Sequence, residues 1–190
     1  APTFSEYTLG LARAGCHVER YVLRQDNGFD LDDGFLPFLM ERKPEAVFLC
    51  NPNNPTGRIL PFDTLEKILE FCHQHHTRLF LDECFLDLSD EGISMKGYLK
   101  AYPELCILKA FTKSYGMAGV RLGYCLCSDE ELLEKMSRTV QPWNVSILAQ
   151  AAGVAALSET QFLAKTKALI PVERRWLKGE LEALGLWVCP

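Results

Sequence analysis

Ala46-Val47-Phe48-Leu49-Cys50 runs without a break into Asn51-Pro52-Asn53-Asn54-Pro55-Thr56-Gly57. The first five residues are apolar and do not alternate, the pattern of a short strand covered on both faces. The next seven hold two prolines, three asparagines and a glycine, so the strand must end in a tight loop. After Pro61, residues Phe62, Leu65, Ile68, Leu69 and Cys72 recur at three- and four-residue spacing, with Asp63, Glu66, Lys67 and Glu70 between them. That period predicts an amphipathic helix. Arg78-Leu79-Phe80-Leu81 then predicts a second strand that runs directly into Asp82-Glu83.

The same alternation continues downstream. Cys106-Ile107-Leu108 predicts a strand ending near Lys109, followed by Phe111-Thr112-Lys113 and a glycine-punctuated stretch. A fourth strand is predicted from Arg121 to Cys127. Ser128-Asp129-Glu130-Glu131 matches a capping box opening a helix through Leu132, Leu133 and Met136, which Pro142 ends. Val145 to Leu157 predicts another helix, and Ser158 to Leu184 a helical segment with a kink or a join at Pro171. Strands alternating with helices of this length predict an α/β fold: a mostly parallel sheet with helices on both faces. The domain reading is 1–157 for a large unit and 158–190 for a connecting helix and the start of a smaller one.

Composition narrows the function classes. The 190 residues are 48% hydrophobic and 24% charged, an ordinary globular balance. Twenty basic against twenty-five acidic side chains give a net charge of −5, which argues against nucleic acid and anionic membranes as partners. Charge, proline or glycine interrupts every apolar run well before the ~18 residues of a spanning helix. Ala1 to Gly10 has no basic start followed by an apolar stretch, so the expectation is a soluble, cytoplasmic protein. The eight cysteines show no C-x-x-C pair, so a structural zinc site is disfavoured. Cys72-His73-Gln74-His75-His76 lacks a second ligand pair and reads as a helix terminus.

In layered α/β sheets, polar residues just beyond strand ends meet ligands. Here these are Asn51–Asn54, Asp82 and Lys113. The competing motifs are absent: there is no G-x-G-x-x-G, no G-x-S-x-G and no H-E-x-x-H, and Tyr98 stands where Gly92 and Gly97 would need a Walker lysine. A lysine amine can form a Schiff base with an aldehyde. An aspartate at a strand end can hold a protonated ring nitrogen, and an asparagine amide can donate to a phenolate. Together these meet the demands of pyridoxal phosphate.

Three motifs in this order resemble the class I/II aminotransferases, which are fold-type I pyridoxal-phosphate enzymes. They are Asn51 to Gly57, Leu81-Asp82-Glu83-Cys84-Phe85, and Phe111-Thr112-Lys113-Ser114-Tyr115-Gly116-Met117-Ala118-Gly119-Val120-Arg121-Leu122-Gly123-Tyr124. The resemblance implies that Lys113 forms the cofactor imine and that Asp82 pairs with the pyridine nitrogen. It implies that Asn54, before a cis proline, donates to the 3-hydroxyl. Arg121 and Thr112 would hold the phosphate, and Phe4 would stack on the ring. A plain structural role competes with several of these: a surface lysine after a strand for Lys113, a turn cap for Asp82, a surface ion pair for Arg121, core packing for Phe4, and turns for Gly116, Gly119 and Gly123.

Two departures refine the resemblance. Ala110 stands three residues before the lysine, where the family usually has a hydroxyl, and Phe85 replaces a common tyrosine. Phe85 and Gln141-Pro142-Trp143-Asn144-Val145-Ser146 look closest to threonine-phosphate decarboxylases of cobalamin synthesis, themselves near histidinol-phosphate aminotransferases. The expected substrate is a small amino acid, possibly phosphorylated, and the expected full-length assembly is a homodimer. The upstream phosphate loop and downstream carboxylate-binding arginine of the family are not in the sequence, so the chain reads as the large-domain portion of a longer enzyme. A domain that keeps the fold without turnover is the reading from another class.

Overall fold

The computed structural model describes residues 1–189. Four strands, β1 (Ala46–Cys50), β2 (Arg78–Asp82), β3 (Leu105–Ala110) and β4 (Gly123–Cys127), form one sheet in the order β1-β2-β3-β4. β1, β2 and β3 are parallel, and β4 runs antiparallel to β3. Helices α1 (Glu6–Arg13) and α2 (Phe35–Arg42) precede the sheet. Helix α3 (Phe62–Gln74) crosses from β1 to β2, and the single turn α4 (Phe111–Ser114) follows β3. After β4 come α5 (Glu130–Thr139), α6 (Ile147–Leu157) and α7 (Thr160–Ala183).

The core lies on one face of the sheet. The apolar stripe of α3 buries Leu65, Ile68, Leu69 and Cys72 against Leu79 and Leu81 of β2 and Leu105 and Ile107 of β3, with Phe35 and Leu39 of α2 at its edge. Burying each such side chain contributes about 1.5–3 kcal/mol. The opposite face carries Phe48 and Phe80, stacked with centroids 4.5 Å apart and both only half-buried. Tyr7 of α1 lies on Phe48 at 5.6 Å. The mostly parallel sheet with helices around it agrees with the expected fold, and the face carrying Phe48 and Phe80 is the less fully buried of the two.

Local boundaries also moved. The cap of α5 is Asp129 rather than Ser128: its Oδ1 accepts from the Leu132 amide at 3.0 Å, while its Oδ2 takes Arg78 at 2.8 Å. Ser128 instead donates to the carbonyl of Leu99. β4 begins at Gly123 because Arg121 has φ +58°, which no strand accommodates. Glycine fits closely there, since a Cβ on Gly123 would crowd the Lys109 carbonyl at 3.0 Å. α7 is one helix that contains Pro171, so no join divides it. Among the described residues no helix is long and apolar enough to cross a membrane.

Candidate active site

The parallel register sets Cys50 beside Asp82 and Asp82 beside Leu108, so the C-terminal ends of three strands open at one edge. The carbonyl of Asp82 accepts from the Asn51 amide at 2.9 Å, which fastens the asparagine-proline loop to this edge. The Asp82 side chain is half-buried. Its Oδ1 accepts from the Cys84 amide at 2.9 Å and its Oδ2 accepts from the Tyr7 hydroxyl. It has no ion pair among the described residues, and a carboxylate accepts more than two hydrogen bonds.

The groups around Asp82 stay protonated. Burial, then the hydrogen bond to Asp82, raises the Tyr7 phenol far above its ordinary value. Burial likewise pushes up the thiols of Cys50 and Cys84. All three surround the carboxylate as neutral side chains, not as competing anions.

The loop residues divide their work. Asn51 is buried and its Oδ1 accepts from the Leu60 amide at 2.8 Å. Asn53 donates to the Pro2 carbonyl at 3.0 Å and to Thr56 at 2.8 Å, and accepts from Thr3 at 2.9 Å. It thereby ties the segment carrying Phe4 to the loop. Asn54 is half-buried, its bond to Pro55 is cis, and its side-chain amide has no hydrogen-bond partner among the described residues. Asn54 and Phe85 line a cleft of about 590 Å³, although Asp82 and Lys113 stand outside its walls.

α4 is a single turn, too short to hold itself in water. Phe111 and Ser114, three residues apart, are its buried face, which leaves Thr112 half-buried and Lys113 exposed. The Lys113 ammonium lies 5.2 Å above the Phe85 ring and has no ion pair among the described residues. Lys113 is exposed because one turn on the sheet edge fully shields only two of its four side chains. Ala110 caps this turn with a methyl group and no side-chain hydrogen bond.

Phe4 is 40% exposed, which decides against plain core packing, and it meets Tyr7 edge-on at 5.4 Å. Phe4, Tyr7 and Asp82 are thus contiguous, and Lys113 is joined to the cleft through Phe85. Arg121 is less closely integrated. Its guanidinium is exposed, donates to the Ala118 carbonyl at 2.9 Å and has no ion pair among the described residues. The turn Ala118–Val120 that carries it packs on α4. Sequence reasoning missed Tyr7. Its only signal was a position three residues after Phe4, one helical turn on the same face.

Chemically, the site offers a carboxylate acceptor, an unpartnered amide, an exposed aromatic ring and two cations without ion partners. Such a set suits a flat ring that is cationic at one edge and anionic at another. The whole chain, residues 1–190, matches the family model for aminotransferase class I and II. A threonine-phosphate decarboxylase from Salmonella typhimurium is 37% identical over 159 residues, 84% of this chain and 43% of that protein. A histidinol-phosphate aminotransferase from Anaeromyxobacter sp. is 35% identical over 195 residues, 100% of this chain and 52% of that protein. The crystal structure of a histidinol-phosphate aminotransferase from Clostridium acetobutylicum superposes with a TM-score of 0.86 at 26% identity, covering 96% of this chain and 54% of that one. The chain spans about half the length of the relatives it matches.

Proposed function

The chain belongs to the aminotransferase class I and II family, and on that premise we propose that it supplies the lysine-bearing portion of a pyridoxal-phosphate enzyme acting on a small amino acid. When bound, pyridoxal phosphate supplies the electron sink that draws charge from the substrate α-carbon. The observation that carries the reading is Asp82: a half-buried carboxylate without an ion pair, fixed by Tyr7 and Cys84 at a strand end. In this reading Asp82 holds the proton on the ring nitrogen, Asn54 donates its unpartnered amide to the 3-hydroxyl, and Phe4 packs on the ring face. Thr112 and Arg121 hold the phosphate, with Ala110 contributing no hydroxyl to it. Lys113 presents the amine that bonds to the cofactor aldehyde.

The finer assignment is decarboxylation of L-threonine O-3-phosphate or a similar phosphorylated amino acid, as in cobalamin synthesis. The aromatic position under Lys113 supports it, since Phe85 offers no hydroxyl there. The alternative is transamination of histidinol phosphate, whose enzymes are about as similar in sequence. The reading places a homodimer in the cytoplasm. Exposed Trp143, Ile147 and Leu148 supply apolar surface for such an assembly or for the rest of a longer chain.

Borohydride reduction of the cofactor-loaded full-length protein tests the site: pyridoxyl mass is expected on the Lys113 peptide, and label on another lysine overturns the assignment. Threonine phosphate should then release carbon dioxide without a keto-acid acceptor. Glutamate formed stoichiometrically from 2-oxoglutarate and histidinol phosphate would instead establish the aminotransferase.

A further inference from the structure

A second polar cluster lies on the core side of the same strand ends. Glu83 is fully buried, and its Oε1 accepts from the Met95 amide at 2.9 Å. Its Oε2 accepts from the Ser94 hydroxyl at 2.7 Å and lies 3.9 Å from Lys109 Nζ. Lys109, at the end of β3, donates to Asp87 Oδ1 at 2.7 Å. The other Asp87 oxygen accepts from the Ser114 hydroxyl at 3.2 Å. Ser114 is 2% exposed, and Asp87 is the acceptor for its hydroxyl.

The chain of contacts therefore ends on the residue next to Lys113. α4 is held at its start by the Phe111 amide, which donates to the Leu122 carbonyl at 3.1 Å, and by two side-chain anchors, the buried Phe111 ring and the Ser114 hydroxyl on Asp87. The first two act at one end of the turn and the ring contact is not directional, so by themselves they leave the far end free to roll. The polar anchor removes that freedom, and with it fixes which way Thr112 and Lys113 face. A network of this kind is a weak contributor to stability, since burying Glu83 and Lys109 costs most of what their pairing returns. Its directional contacts are what an apolar replacement would not provide.

We infer that Asp87 is a positioning residue for the lysine turn, acting through Ser114 to set the orientation of Lys113 toward the cofactor. The inference rests on the reading of Lys113 given above. Asp87 itself touches neither Lys113 nor the ring-nitrogen site.

The test uses the full-length apoprotein, titrated with pyridoxal phosphate and followed by visible circular dichroism, which reports how rigidly the bound chromophore is held. Asp87→Asn and Ser114→Ala are each expected to weaken cofactor binding roughly tenfold, the loss of one hydrogen bond to a charged group, and to shrink the visible signal. The double variant is expected to bind no more weakly than Asp87→Asn alone, because Ser114 acts only through its contact with Asp87. Far-ultraviolet circular dichroism checks that each variant is folded, and Ser114→Ala carries the test if Asp87→Asn is not. Wild-type affinity and signal in folded variants, or losses that simply add, overturn the inference and leave the role of Lys113 standing. Failure of the unsubstituted protein to take cofactor on Lys113 overturns the functional reading itself, and this inference with it.

Discussion

The phenol of Tyr7 donates to Oδ2 of Asp82, joining the first turn of α1 to the end of β2 across 75 residues of sequence. With the Cys84 amide on Oδ1, it fixes both oxygens of the carboxylate. Tyr7→Phe keeps the ring contacts with Phe4 and Phe48 and removes only the hydroxyl. In the full-length enzyme, turnover is expected to fall about tenfold with the fold intact, the scale of a hydrogen bond to a charged group. Steady-state kinetics check it, and unchanged kcat would show that Asp82 needs no such support.

Asp82→Asn preserves shape and removes charge. Without the carboxylate the ring nitrogen loses the charge-assisted bond that keeps it protonated. Cofactor is expected still to bind through Lys113, while turnover falls at least ~100-fold, about 2.7 kcal/mol of transition-state stabilisation. Near-normal turnover would make Asp82 a structural cap.

Glu83 yields a pH dependence of known sign. Burial raises its carboxyl above the ordinary 4.5, with Ser94, the Met95 amide and Lys109 offsetting part of the rise. A raised folded value means that the neutral form fits the fold better. Its contribution to stability is full below 4.5 and is lost as pH climbs through the raised value. Glu83→Gln is neutral throughout. The apoprotein with Glu83 should therefore compare best with the glutamine variant in mild acid, and lose ground toward neutral pH. Urea unfolding of both at several pH values measures the difference, and the opposite slope would refute it.

Ile68 is completely buried between α3 and the sheet. Ile68→Ala is expected to cost about 2–5 kcal/mol, the transfer term plus the cavity left behind. Exposed Val154 on α6 is 71% accessible, so Val154→Ala should stay within roughly 0.5 kcal/mol. Urea midpoints of the two variants check the contrast.

Much of this was legible along the chain. The unalternating run Ala46–Cys50, the periodic stripe of α3 and the strand ending at Asp82 are short-range signals, and each is found within a residue or two of its expected place. The edge where Asn51, Asp82 and the Lys113 turn gather follows from the parallel order of the strands. α1 and α2 gave weaker signals, because eight-residue helices carry few apolar repeats. With α1 went Tyr7, the partner of Asp82.

What the sequence determined by itself is the kind of fold and the family, since period, turn residues and motif order are properties of neighbours along the chain. Only the tertiary structure decided which side chain supports which. The pairing of Tyr7 with Asp82, the ion pair of Arg78 with the α5 cap residue Asp129, and the line from Glu83 through Lys109 and Asp87 to Ser114 all join residues from separate elements. Hydrogen bonds and ion pairs act over a few ångströms of space, and no local pattern records which distant residues the folded sheet will bring that close.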